Sequence, residues 1–192
     1  MMSNLVRRGS TAISSSKTVL ALLAAFGVGV LAMPEPAWAQ RAASTSGQAM
    51  LLESAGKWQA FSSQQGRSKV CYALSKAEVR SPANLKEVDG LIFVSNRPGE
   101  NVRNEISFVM NFDLKEDVEH QAVIGSDTFV LVAKGQNMWL KNPAEEPRML
   151  DALRRGATLE IKGTSRRNNP TSDRYSLAGM TQTVKRAEDA CK

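Results

Sequence analysis

Few residues of this 192-residue chain have types that could do chemistry: one histidine, two cysteines, an adjacent pair of glutamates and three groups of arginines. A histidine works as a general base only when a nucleophile or carboxylate is held beside it. His120 alternates with Val118, Ala122 and Ile124 on one face of a predicted strand, and its neighbour Glu119 falls on the other face. His120 therefore reads as a structural residue. Glu145 and Glu146 stand where a helix is expected to begin, and carboxylates there complement the helix dipole rather than form an acid/base pair. One histidine and two cysteines are too few for a zinc finger or a zincin, and neither a nucleophile elbow nor a P-loop pattern is present. The sequence names no catalytic residue, no cofactor site and no metal ligands.

The arginines carry the more specific expectation. Arg97 and Arg103 flank the segment RPGENVR, and Arg166 and Arg167 open the segment RRNNPTSDR. Guanidinium groups recognise carboxylate and phosphate through paired hydrogen bonds. If the two segments are long loops at one end of a β scaffold, Arg97, Arg103, Arg166 and Arg167 form a cationic rim for an anionic partner or surface. The competing reading is a set of solvated charges, neutralised by Glu100, Glu105 and Asp173. Aromatic residues do not interleave with these arginines, which argues against nucleic acid as the partner.

The cysteines and the N-terminus point to export. Arg7, Arg8 and Lys17 precede the apolar run Thr18–Ala32, and Pro34, Pro36 and Ala37-Trp38-Ala39 follow it. This order is that of a secretory signal peptide, residues 1–39, cut before Gln40. The run of 15 apolar residues is shorter than the roughly 20 of a transmembrane helix, and no other run is longer. Removing 1–39 takes away three basic residues and one acidic one and lowers the net charge from +6 to +4. Both Cys71 and Cys191 lie in the exported part, and an even count in an oxidising compartment predicts one disulfide between them. The alternative, a redox pair or nucleophilic cysteine, lacks a C-x-x-C spacing. The expected location is the periplasm or the exterior.

The elements that must position these residues are mostly strands. Residues 40–55 are expected to be a flexible lead, since 40–50 are rich in Ala, Ser, Gly and Gln. Lys57 begins an alternation that places Trp58 and Ala60 on one face, and Val70, Tyr72 and Leu74 repeat it after a hairpin at Gln64–Arg67. A loop is expected over 81–90, and Leu91–Val94 reads as a buried strand. Ile106, Phe108, Met110 and Phe112 share the next strand face, and turns at Gly125–Asp127 and Lys134–Asn137 continue an antiparallel meander. A helix follows with Pro147 in its first turn, Met149, Leu150 and Leu153 as its apolar stripe and Gly156 at its end. Leu159 and Ile161 mark another strand, residues 166–173 a polar loop, and Tyr175 and Leu177 the last strand. Met180, Val184, Ala187 and Cys191 then line one face of a closing helix. The predicted fold is mainly β, an antiparallel β-sandwich or partly closed barrel with one short internal helix and a C-terminal helix, forming a single domain over 56–192.

The chain from Gly56 onward resembles the invasion associated locus B family of α-proteobacterial envelope proteins. The resemblance rests on Trp58 in GKWQAF, on Val70-Cys71-Tyr72-Ala73-Leu74-Ser75, and on Arg97-Pro98 leading to Val102-Arg103-Asn104-Glu105. It continues through Trp139–Glu146, Lys162-Gly163-Thr164-Ser165, Tyr175-Ser176-Leu177-Ala178-Gly179 and Cys191. Lys57 departs from the acidic or neutral residue usual before the tryptophan. The resemblance implies an exported, mostly β domain, named for a host-cell invasion phenotype in some pathogens, and it brings no catalytic residues. The expected function is that of a non-enzymatic envelope protein binding a macromolecular partner, an envelope or host surface component. The alternatives are a periplasmic hydrolase of envelope material and a structural or stress factor.

Overall fold

The computed structural model describes residues 47–192. The expected signal peptide and the first part of the expected lead lie outside the described residues. The strands are β1 (Met50–Ala55), β2 (Trp58–Gln65), β3 (Ser68–Lys76), β4 (Val79–Ser81), β5 (Leu91–Arg97), β6 (Val102–Val109), β7 (His120–Ile124), β8 (Asp127–Lys134), β9 (Asn137–Leu140), β10 (Thr158–Thr164) and β11 (Pro170–Ser176). The helices are α1 (Glu146–Arg155) and α2 (Met180–Ala190). All eleven strands join one antiparallel sheet in the order β1-β2-β3-β5-β6-β9-β8-β7-β10-β11-β4, which is not closed. The mainly β class, the internal helix and the closing helix follow the sequence expectation.

The chain itself makes this sheet curl. β4 is the last strand of the ladder, yet it begins three residues after the end of β3, the third strand. Three extended residues reach about 10 Å at most, so the far edge is tethered to β3. The tether is stitched on both sides: the Ala77 N–H donates to Gly90 O at 2.8 Å and the Glu78 N–H to Arg174 O at 2.8 Å. The inner face is filled by alternate strand residues, among them Trp58, Ile92, Val94, Phe108, Leu131 and Ile161, all fully buried. Met149, Leu150 and Leu153 of α1 and Met180 and Val184 of α2 pack into the same core. Each such side chain contributes about 1.5–3 kcal/mol when withdrawn from water.

Helix α1 starts where the sequence places acidic residues and proline. Asn142 Oδ1 accepts from the Ala144 N–H at 3.1 Å, a 3-10 turn over Pro143–Glu145 leads in, and Pro147 occupies the first turn. Arg154 and Arg155 close the last turn, where cations suit the dipole. Helix α2 begins at Gly179, whose φ is 90°. A Cβ there would meet the Ala55 carbonyl oxygen at 2.1 Å, and a Cβ on Gly56 (φ 57°) would meet the Ala178 carbonyl oxygen at 2.3 Å. The β1–β2 turn and the β11–α2 turn thus touch backbone to backbone, an approach only glycine permits. Trp58 reinforces this join, its indole N–H donating to Ser176 O at 2.8 Å.

Four local expectations are corrected. Met50–Ala55 is a strand paired with β2, not flexible lead; Met50 and Leu51 are 61% and 51% exposed and only Leu52 packs inward, so backbone pairing holds most of it, and no alternating hydrophobic pattern announces it. In β3 the inward residues are Cys71, Ala73 and Ser75, whereas Val70, Tyr72 and Leu74 face outward. There Tyr72 stacks on Phe61 with ring centroids 5.4 Å apart, so outer-face aromatic packing mimics a core pattern. Residues 81–90 hold the end of β4 and a 3-10 turn over Ala83–Glu87 rather than only a loop. The polar loop after Arg166 is short, because β11 begins at Pro170 and pairs with both β10 and β4.

Candidate functional site

Cys71 on β3 and Cys191, just past α2, form a disulfide with Cα atoms 5.8 Å apart. Ala60 and Ala187 are buried beside the bridge, with Leu52 and Ala190 packed against them. Small residues let the helix end approach the sheet closely. The disulfide fits an oxidising compartment, extracellular or periplasmic, and among the described residues no helix is long and apolar enough to cross a membrane.

The single histidine is fully engaged by main chain. His120 is 1% exposed, its Nδ1 accepts from the Thr164 N–H at 3.2 Å, and its Nε2 lies 2.9 Å from Lys115 O. An acceptor role for Nδ1 puts the proton on Nε2. Both ring nitrogens are then occupied, and neither is left to move a substrate's proton. Among the described residues no group of three or more His, Cys, Asp or Glu is placed to hold a metal ion.

The four arginines do not meet at one end. Arg97 ends β5 and Arg103 lies at the start of β6, on either side of a 3-10 turn over Pro98–Glu100. Arg166 lies beyond the opposite end of β6, where its N–H donates to Asp113 O at 2.8 Å. Arg103 and Val109 are six residues apart on β6, about 20 Å at the usual strand rise. Loop length decided this outcome: both segments are tight turns between paired strands, so each arginine pair stays at its own strand end. The pairs also differ electrostatically. Arg97 donates to Glu105 at 2.7 Å and Glu100 at 2.8 Å, and the Glu105 hydrogen bond above all holds its proton more tightly than usual. Arg166 is paired with Asp113 at 2.5 Å. Arg103 and Arg167 have no ion-pair partner among the described residues.

Arg166 and Arg167 line a cleft of about 250 Å³. Pro82, Leu85 and Phe112 form its apolar side, and Asn169 joins the arginines on its polar side. Lys115 stands nearby, its ammonium donating to Asn168 Oδ1 at 2.7 Å. Two cations, Arg166 and Arg167, against the one carboxylate of Asp113 leave the lining of the cleft positive. The Asp113 contact aims the Arg166 guanidinium and leaves Arg167 free for a ligand.

An arginine that the sequence pattern did not single out is the most buried among the described residues. Arg80 on β4 is 5% exposed and faces Asp173 on β11, which is fully buried. Its Nε lies 3.0 Å from both carboxylate oxygens and its Nη2 lies 2.8 Å from Oδ2. The same guanidinium donates to Val88 O at 2.6 Å and to Met110 O at 2.9 Å. It therefore ties the β11–β4 edge to the segments at the start of β5 and the end of β6, across the seam of the curled sheet. Burial pushes the Asp173 carboxyl up from its usual value, against the hydrogen bonds and charge of Arg80. A Cβ on Gly90 would meet Asp173 Oδ2 at 2.4 Å, so Gly90 makes room for the pair. The signal was present in the sequence: Thr171, Asp173, Tyr175 and Leu177 share one strand phase, and an aspartate in an otherwise buried phase requires a buried cation. Comparison with protein-family models, curated proteins and solved structures finds no match for this chain.

Proposed function

We propose that this is an exported, non-enzymatic binding domain whose cleft at Arg166 and Arg167 takes the anionic head group of an envelope amphiphile. The cleft carries the reading: it sets an unpaired guanidinium and an aimed one against an apolar wall of Pro82, Leu85 and Phe112. A head group with a phosphate or carboxylate satisfies the arginines by charge-assisted hydrogen bonds, and the adjoining aliphatic part covers Leu85 and Phe112. The disulfide supports export, since such bonds persist in oxidising compartments. The resemblance to the invasion associated locus B family points the same way, toward an envelope protein engaged in host association. The full engagement of His120 by main chain supports binding rather than hydrolysis.

Co-sedimentation with phosphatidylglycerol vesicles tests the proposal, with phosphatidylcholine vesicles as the neutral comparison. Binding to the anionic vesicles is expected at low salt and should fade as salt shortens the screening length below about 10 Å. The double variant Arg166→Ser, Arg167→Ser should lose it while the melting temperature holds, because exposed substitutions cost within about 0.5 kcal/mol. Equal binding to both vesicle types, or no change in the double variant, would refute the reading.

A further inference from the structure

A second cleft, of about 390 Å³, lies between the start of β6 and the start of α1, at the opposite end of β6 from Arg166 and independent of the reading above. Its walls are Pro143, Ala144, Pro147 and Leu150, and its two charged residues are Arg103 and Glu146. A volume within about 300–1,000 Å³ and an apolar lining with a few charged groups are the make-up of a small-molecule site.

Glu146 is half-buried and forms no ion pair among the described residues, whereas its neighbour Glu145 takes Arg148 at 2.7 Å. Burial pushes the Glu146 carboxyl up from its usual value, a hydrogen bond from the Ile106 N–H pulls it down, and the Glu105 charge adds to the rise. Glu105 itself is held by Arg97 at 2.7 Å, so that guanidinium is already used. Arg103 is exposed and has no ion-pair partner among the described residues, Glu146 included. Two opposite charges thus line one cleft without meeting, and apolar side chains share the space with them.

This arrangement selects by charge. A lone anion would pair with Arg103 but meet the Glu146 and Glu105 carboxylates. A lone cation would suit Glu146 but add to the charge of Arg103. An uncharged apolar guest would take water from both charges and return nothing. A guest with a positive end, a negative end and an aliphatic stretch answers all three parts of the lining.

We propose that this cleft binds a small aliphatic zwitterion, its ammonium on Glu146, its acid group on Arg103 and its carbon chain on Pro143, Pro147 and Leu150. Amino acids have this chemistry, with the two charges on the same carbon, as in leucine, or at the two ends of a chain, as in 6-aminohexanoate.

The test is an NMR titration of the oxidised, isotope-labelled protein with L-leucine and with 6-aminohexanoate, and with hexylamine and hexanoate as the matched single charges. At least one zwitterion should shift the Ala144 and Leu150 amide signals saturably, and the tighter of the two reports the spacing of the charges. Hexylamine and hexanoate should each bind about 10- to 100-fold more weakly than that zwitterion, the worth of a hydrogen bond to a charged group. Arg103→Gln should weaken the zwitterion by the same factor and leave hexylamine no weaker. Glu146→Gln should weaken it likewise and leave hexanoate no weaker. The Glu146 side-chain carboxyl signal should titrate at lower pH when the zwitterion is bound, because an ammonium then favours its charged form. Should Glu146→Gln fail to fold, the Arg103→Gln variant, the ligand comparison and this titration still decide. No saturable shift with either zwitterion, equal binding of a single-charge analogue, or indifference to a folded variant would each overturn the proposal.

Discussion

Replacing Arg80 by Met should be among the most damaging single changes in the molecule. The substitution keeps an unbranched side chain of similar reach and removes every donor. Asp173, fully buried, then loses its counter-charge, and the Val88 and Met110 carbonyls lose their hydrogen bonds. Breaking a buried ion pair from one side costs about 3–5 kcal/mol, and two carbonyls left without a donor place the loss toward the upper end. That is a large part of a typical domain stability of about 5–15 kcal/mol. Asp173→Leu should cost a similar amount by stranding the guanidinium. The double variant should fall well short of the sum, because neither charge is then left alone, and a coupling of at least about 2 kcal/mol is expected. The sign of the pH dependence follows from Asp173. Burial raises its folded pKa and Arg80 opposes that rise, so Arg80→Met raises it further. A carboxyl with a raised folded pKa contributes stability below its unfolded value, about 3.9, and loses that contribution as pH rises through the folded one. The deficit of Arg80→Met relative to the parent should accordingly grow as pH rises through the parent's own raised folded value toward the variant's still higher one. Urea unfolding of the four proteins, compared at equal m-values, measures all of this. Single costs below about 1 kcal/mol, additive costs, or a deficit that shrinks as pH rises would refute the reasoning.

Two further outcomes test the join between the chain ends. Reduction of Cys71–Cys191, which closes 120 residues, should lower stability by about 4–5 kcal/mol on the chain-entropy account, read as a fall in urea midpoint with and without reductant. Gly179→Ala, which drives a Cβ toward the Ala55 carbonyl at a φ of 90°, should cost at least about 2 kcal/mol, whereas Gly125→Ala, with a φ of 57° and open space around it, should cost about 1 kcal/mol or less. Thermal melts of the two variants side by side check the contrast.

Residues that alternate against a core were legible in the sequence. Ile106, Phe108 and Met110 face inward as their spacing requires, and the helix ending at Gly156 has the apolar stripe assigned to it. The disulfide was legible from count and compartment. What escaped the reading is held by other forces. Met50–Ala55 is a strand because β2 offers hydrogen bonds, which leave no trace in side-chain pattern. Tyr72 sits outside because Phe61 and Phe93 give it aromatic partners there. The cationic rim divided because the placement of charges depends on which strand ends share a side of the sheet, and one-dimensional spacing does not carry that. Asp173 resembles a surface counter-ion in a polar, arginine-rich segment, although its phase with Tyr175 places it inside.

The position of Cys191 has a consequence in time. A polypeptide is synthesised from its N-terminus, so the second sulfur of the bridge is made 120 residues after the first. Every strand and both helices among the described residues precede it. The bond cannot guide the early chain; α2, packed against β2 and β3, holds the second sulfur beside the first. Oxidation thus acts as a seal on the packing of α2 against the sheet. A chain that stops at Ala190 would instead keep a lone thiol at Cys71, facing a gap where the helix end should close, and would remain open to mixed disulfides with small thiols. Docking of the α2 end is in this way converted into a redox state, which small thiols can distinguish.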